Sequence, residues 1–174
     1  MARLFLAINL PQDVRAKIFE TFSKKLKRYE GLKVVPKDNL HITLLFLGEV
    51  PDEKVEEIKN KISKIKFPKF NIKIGKIGHF GNRVVWIYAD SEDNLLRKLS
   101  VKLQEALQIH DERFHPHITL CRARKPGKKI KYIVESLSKI NFKEEITVEK
   151  FSLMRSFLKS PAPEYKEIFS VNLT

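Results

Sequence analysis

The chain has 174 residues, 43% of them hydrophobic, enough to build one sizeable core in a single domain or in two small lobes. Its 34 lysines and arginines outnumber 21 acidic residues, and a formal net charge of +13 attracts polyanions such as RNA, DNA or acidic membranes without saying anything about fold. A lone cysteine, Cys121, excludes a disulfide framework and a thiolate metal cage.

The opening "MARLFLAINLPQD" reads as a first strand over 3–9, cut off by Asn9 and Pro11, with no small-residue cleavage pattern of a signal peptide. A helix follows, with Val14, Ile18, Phe22 and Leu26 along one face. "GLKVVPKDN" is a turn-rich connection into a strand at 40–47 that ends at Gly48. A second helix from about 52 carries Val55, Ile58, Ile62 and Ile65. Two strands, 70–78 and 83–89, are joined by the turn signal "GN". A third helix over 92–109 aligns Leu95, Leu99, Leu103 and Leu107. A strand begins near His117, and a fourth helix over 128–139 is marked by Ile130, Ile133, Val134 and Leu137.

The last two strands are expected at 145–157 and 165–173, with "KSPAPEY" as a loop between them. In the final one Tyr165, Glu167, Phe169, Val171 and Leu173 are expected on one side. Mixed elements with hairpin signals predict an α+β fold of mainly antiparallel sheets with helices packed outside. No stretch approaches the roughly 20 apolar residues of a membrane-spanning helix, so a soluble, cytoplasmic protein is expected. Abundant lysine and glutamate, with glutamine only at Gln12, Gln104 and Gln108, suit a heat-adapted one.

The chain writes HITL twice, in "DNLHITLLFLG" and in "RFHPHITLCRA". Strand alternation puts His41 and Thr43 on one face and Ile42, Leu44 and Phe46 on the other. It likewise sets His117 and Thr119 against Ile118 and Leu120. Two such strands across a cleft surround one small ligand with two imidazoles and two hydroxyls. In-line displacement at phosphorus needs that set: one imidazole activates the nucleophile while the other protonates the leaving group from the opposite side. The hydroxyls can hydrogen-bond the non-bridging oxygens. The plain alternative is two unrelated strands with structural histidines.

These motifs, with "RLFLAINLP", "VVPKDNLHITLLFLGEV", "VVWIYA", "FHPHITLCRAR" and "RSFL…EYKEIFSVNL", resemble the two-histidine phosphoesterases. The match is to their RNA 2′,3′-cyclic phosphodiesterases, also called 2′-5′ RNA ligases, over nearly the whole chain. The resemblance implies a bilobal α+β fold with pseudo-twofold symmetry around a central cleft, one two-lobed domain over 1–174, and no metal or other cofactor. It implies hydrolysis of RNA or oligonucleotide 2′,3′-cyclic phosphate ends to 2′-phosphates by a chain expected to be monomeric. By the same carry-over His41 protonates the departing 3′ oxygen, His117 activates water, and Thr43 and Thr119 hold the phosphate.

Arg122 stands where the family often has a phosphate-contacting arginine. Strict alternation turns it away from His117, so it reaches the site only if the strand bends, bulges or ends near Cys121; otherwise it is a plain surface arginine. Family members often carry tryptophan where Val34 stands, so an aromatic platform is missing or supplied elsewhere. Trp86 and Tyr88 share a face and could stack a base, or Trp86 is packed in the sheet.

His115 with His117 makes an H-x-H pair, but a histidine triad would need histidine at Thr119, and no acidic cluster completes a metal site, so His115 reads as incidental. His79 and His110 read as solvated or structural. Cys121 is expected on the His117 face as semi-buried packing, with a thiol nucleophile conceivable. The basic clusters at 24–28 and 122–131 are candidate RNA-steering surfaces. Two other functions stay open: the reverse, 2′-5′ ligation, and a non-catalytic module that captures RNA ends.

Overall fold

The computed structural model describes residues 1–127 and 129–174. Among them the strands form two antiparallel sheets. The first lobe holds β1 (Ala2–Asn9), β3 (His41–Val50), β8 (Lys150–Phe157) and β9 (Glu164–Asn172), in the order β3-β1-β8-β9. The second holds β2 (Leu32–Val34), β4 (Phe70–Phe80), β5 (Val84–Ser91), β6 (His117–Ala123) and β7 (Glu144–Val148), in the order β2-β6-β5-β4-β7. Without the short β2, the two sheets repeat one plan: a histidine strand, its β1 or β5 partner, then two further antiparallel strands. They meet where β3 lies against β6.

Helices cover the outer faces because each presents an apolar stripe. The helix α1 (Gln12–Ile18) runs through a wider turn at Phe19–Ser23 into α2 (Lys24–Leu26), and buries Val14, Ile18, Phe22 and Leu26. Further along, α3 (Val55–Ser63) packs on α4 (Leu95–Leu107), which reaches both β3 and β5, and α5 (Lys129–Ser138) packs on β4 and β5. Residue 128, the first of the expected fourth helix, lies outside the described residues. The apolar backs of both sheets join these helices in one continuous core.

Three expectations are corrected. The single strand foreseen at 145–157 is two: β7 pairs with β4 in one sheet, and after Glu149 the chain enters the other as β8 beside β1. The connection at 31–39 contains β2, which edges β6. The strand at His41 continues past Gly48, whose φ of 73° suits glycine, to Val50.

Candidate functional site

The two HITL strands share a departure from strict alternation. In β3, Leu45 pairs with Leu6 but Thr43 with Ala7, so Leu44 is an extra, unpaired residue. In β6, Cys121 pairs with Val85 but Thr119 with Trp86, so Leu120 is extra. Each is a β-bulge, and each reverses the facing of the residues after it. Leu44, Leu45, Leu120 and Cys121 all enter the core. Phe46 and Arg122 are swung onto the faces that carry the histidines and are both exposed. This corrects the expected placement of Phe46 behind the strand and of Cys121 beside His117. It also meets the condition under which Arg122 reaches the cleft.

A bulge leaves a carbonyl outside its ladder, and a buried carbonyl needs a donor. The Leu44 carbonyl accepts from the Ser100 hydroxyl of α4 at 2.7 Å. Ser100 in turn accepts from Gln104 Nε2 at 3.1 Å, and Gln104 Oε1 accepts the Asp111 N–H at 2.9 Å. In the other lobe the Leu120 carbonyl accepts the Val35 N–H at 2.8 Å. The first bulge is thus held by a helix outside its sheet, and the second by the residue that follows the neighbouring strand β2.

The imidazoles are anchored alike. His41 Nδ1 donates to the Asn39 carbonyl at 2.6 Å, and His117 Nδ1 donates to the His115 carbonyl at 2.5 Å. In the neutral ring this bond holds the proton on Nδ1 and leaves Nε2 as the acceptor. His41 Nε2 accepts the Thr43 hydroxyl at 2.9 Å. Asn39 also ties down the preceding loop, its side chain donating to the Pro163 carbonyl at 2.8 Å.

Burial lowers the pKa of both histidines, while the Asn39 and His115 carbonyls oppose that shift. His117 is pushed further down by the positive charge of His115, Arg122 and His41, so Arg122 and His41 act on one electrostatic site with it. The buried Cys121 thiol is pushed up to about 11, which leaves it protonated at neutral pH and removes the conceivable thiolate nucleophile.

Aromatic rings wall the cleft on both sides. Around His41 stand Phe5, with ring centres 5.2 Å apart, and Tyr165, edge-on at 5.4 Å. Tyr165 gets there by another bulge: Leu153 pairs with Phe169 but Met154 with Glu167, so Ile168 is extra. Tyr165 and Glu167 therefore face the cleft side, opposite Phe169, Val171 and Leu173, contrary to the even alternation expected. Burial raises the Tyr165 pKa, and the positive charges of Arg122 and Arg3 counter it.

Around His117 stand Phe80, edge-on at 4.9 Å, and His115 at 5.4 Å. Trp86 lies 4.6 Å from His115, over Gly78, where an added Cβ would sit 2.3 Å from the indole. Val34 pairs with Cys121 and packs toward the core, so the aromatic surface of this lobe comes from Phe80, Trp86 and Tyr88 instead.

His115 is part of this wall rather than incidental. Among the described residues no group of three histidines, cysteines or carboxylates is placed to hold a metal ion. His79, near the end of β4, bonds the Gly81 carbonyl, and His110 pairs with Glu112 on an exposed loop. In the basic cluster at 24–28, Lys24 pairs with Glu20 and Lys27 lies over the Phe19 ring. Among the described residues no helix is long and apolar enough to cross a membrane.

Two histidine strands that meet as β3 and β6, each with its threonine on the histidine's face and with Arg122 swung to that face in β6, sit on a two-sheet α+β scaffold of the two-histidine phosphoesterase class. A family model described as LigT like phosphoesterase matches residues 8–86 and 90–165, and the chain belongs to that family of enzymes. It is 35% identical over 173 residues to an RNA 2′,3′-cyclic phosphodiesterase of Archaeoglobus fulgidus, covering 95% of this chain and 97% of the relative. Its fold matches Escherichia coli LigT complexed with phosphate (TM-score 0.76) and with 3′-AMP (TM-score 0.77). Each of these is 30% identical, and each match covers 99% of this chain and 98% of the other.

Proposed function

We propose that this chain hydrolyses the 2′,3′-cyclic phosphate ends of RNA to 2′-phosphates with no metal in the mechanism. The observation that carries the reading is the duplicated anchoring of His41 and His117: two equivalent bulged strands each offer an Nε2 whose ring is fixed through Nδ1. His117 takes the proton of an attacking water. Its oxygen bonds to phosphorus, the bond from phosphorus to O3′ breaks, and His41 delivers a proton to O3′. The next turnover begins once the two imidazoles have exchanged their proton with solvent. Each proton transfer of this kind is worth about 10²–10⁴-fold in rate.

Thr43, Thr119 and the Arg122 guanidinium hold the non-bridging oxygens, where charge gathers in the transition state. Phe46 serves the nucleoside on the His41 side. Leaving a phenylalanine 67% exposed forgoes part of the roughly 1.5–3 kcal/mol its burial would yield, and a nucleobase stacked on it recovers that contact. The names of the relatives support the same substrate class. A module that merely captured RNA ends would be served by lysine or arginine, without two histidines anchored for proton transfer.

The test is ³¹P NMR of an oligonucleotide ending in a 2′,3′-cyclic phosphate, incubated with the protein and EDTA. Conversion to a 2′-phosphate is expected. Binding without conversion at any pH would favour the capture module, and loss of turnover on chelation would place a metal in the reaction.

A further inference from the structure

We propose that the polar row Arg97, Ser100 and Gln104 of α4 is a splint that holds His41 and His117 in place relative to each other, with Gln104 the positioning residue that joins one half of the site to the other. The splint serves the pair read above as acid and base, and so rests on that reading.

The helix α4 faces β3 and β5 with Leu96, Leu99 and Leu103 buried. Ser100 and Gln104 interrupt this apolar face at 0% and 8% exposure, and with Arg97 they follow each other at three and four residues, in one row along the helix. A buried polar side chain is costly unless it is hydrogen-bonded. Each of the three bonds to a segment that carries or anchors one of the two histidines.

Ser100 holds the first half. Its hydroxyl donates to the Leu44 carbonyl at 2.7 Å, in the bulge that follows His41 and Thr43. Gln104 and Arg97 hold the second half through residues 108–116, which lead from α4 to β6 without helix or strand. This irregular stretch has to deliver the His115 carbonyl to His117 Nδ1 at 2.5 Å. Gln104 Oε1 accepts the Asp111 N–H at 2.9 Å, and the Gln104 backbone carbonyl accepts the Ile109 N–H at 3.0 Å. Asp111 Oδ1 accepts the Arg113 N–H at 2.9 Å. Arg97 Nη2 donates to the Phe114 carbonyl at 3.2 Å, one residue ahead of His115, and its guanidinium lies 5.6 Å from the centre of the Phe114 ring.

The sense of these bonds is forced. A backbone N–H only donates, so Gln104 turns Oε1 toward Asp111 and leaves Nε2 facing Ser100 at 3.1 Å. Ser100 receives that N–H and gives its own hydrogen to Leu44. Three bonds thus run one way, from the segment before His117 to the bulge after Thr43, and each polarises the next. Breaking one slackens both ends. Irregular backbone supports a site less precisely than a helix does, and a catalytic group displaced by about 1 Å can lose on the order of 10²-fold in rate. A glutamine whose carbonyl serves one half of the site and whose amide serves the other supplies that precision from a rigid element.

The experiment reads the ring nitrogens of His41 and His117 by ¹⁵N NMR in the wild type, Gln104→Met and Ser100→Ala. It also measures kcat on a cyclic-phosphate oligonucleotide, at a temperature where circular dichroism shows each variant folded. Both histidines are expected to shift in both variants, with kcat lower by roughly threefold or more. Arg97→Met, which spares the three-bond relay, is expected to move His117 and leave His41 in place. Ser100→Ala keeps Gln104, so the test stands even if Gln104→Met does not fold. Movement of His41 alone in Ser100→Ala overturns the proposal, as does an unmoved His117 in Gln104→Met or Arg97→Met. A lower melting temperature with both rings and kcat unmoved also overturns it, leaving the row a feature of the core alone. The ring nitrogens report on the splint whether or not a cyclic end is opened, so an inactive wild type would sink the phosphodiesterase reading by itself.

Discussion

Replacing Ser100 by alanine tests whether the bulge in β3 is held from the helix behind it. Ser100 is fully buried, donates to the Leu44 carbonyl at 2.7 Å and accepts from Gln104 at 3.1 Å. The substitution removes both bonds and leaves a carbonyl and an amide donor without partners where water has no access. One buried hydrogen bond contributes about 1 kcal/mol net, and a stranded buried group costs about 1–3 kcal/mol. Gln104 can turn to recover part of its loss, which leaves roughly 2 kcal/mol. For a chain of this size that is about 4–8 °C in melting temperature. Thermal or urea unfolding measures it, and kcat/KM on a cyclic-phosphate oligonucleotide at a temperature where the variant is folded measures the consequence for the site. A several-fold fall in kcat/KM is expected, because a loosened bulge no longer fixes the facing of His41, Thr43 and Phe46. Ser100→Thr, which keeps the hydroxyl, restores part of both. A stability loss below about 0.5 kcal/mol with unchanged kcat/KM would refute the reasoning.

The remaining predictions concern the chemistry. Catalysis needs one imidazole neutral and the other protonated, and burial lowers both pKa values, so the whole bell of kcat/KM against pH moves below the range of free imidazole. The bell for kcat lies higher, since a bound anionic phosphodiester favours imidazolium; an optimum of kcat/KM on the alkaline side of free imidazole would exclude this pair as acid and base. A cyclic end carrying sulfur in place of O3′ leaves without a proton, so it should restore turnover to His41→Ala but not to His117→Ala; the opposite rescue would exchange their roles. Phe46→Ala should raise KM for a nucleoside cyclic phosphate several-fold, with kcat nearly unchanged and with no effect on a cyclic phosphate that lacks a base. Equal losses on both substrates would make Phe46 a structural residue.

The sequence shows the fold wherever periodicity is clean. Val55, Ile58 and Ile62, or the four leucines from Leu95 to Leu107, can bury one face only as helices, and the two H-x-T patterns stand out because strand alternation pairs each imidazole with a hydroxyl. What it conceals is where alternation breaks. Strict counting turns Arg122 and Phe46 away from the cleft, although each comes directly after an apolar doublet, Leu120–Cys121 and Leu44–Leu45. A doublet after an alternating run signals that two successive residues seek the core, which only a bulge permits. Tyr165 is hidden for the same reason, behind the extra Ile168. The passage of the chain from β7 to β8 is equally silent, since both strands are apolar on one face and only tertiary pairing separates them at Glu149. The anchors of the imidazoles are backbone carbonyls, of Asn39 and His115, and a carbonyl has no residue type to read.

The most direct measurement is the rate at which purified His41→Ala and His117→Ala each open a 2′,3′-cyclic phosphate end, read by ³¹P NMR at matched protein concentration with circular dichroism to show that both are folded. Each variant is predicted to lose about 10²–10⁴-fold in kcat and to leave the cyclic phosphate standing while the wild type converts it to a 2′-phosphate. Wild-type turnover in either folded variant would contradict the claim that two imidazoles work on one phosphorus.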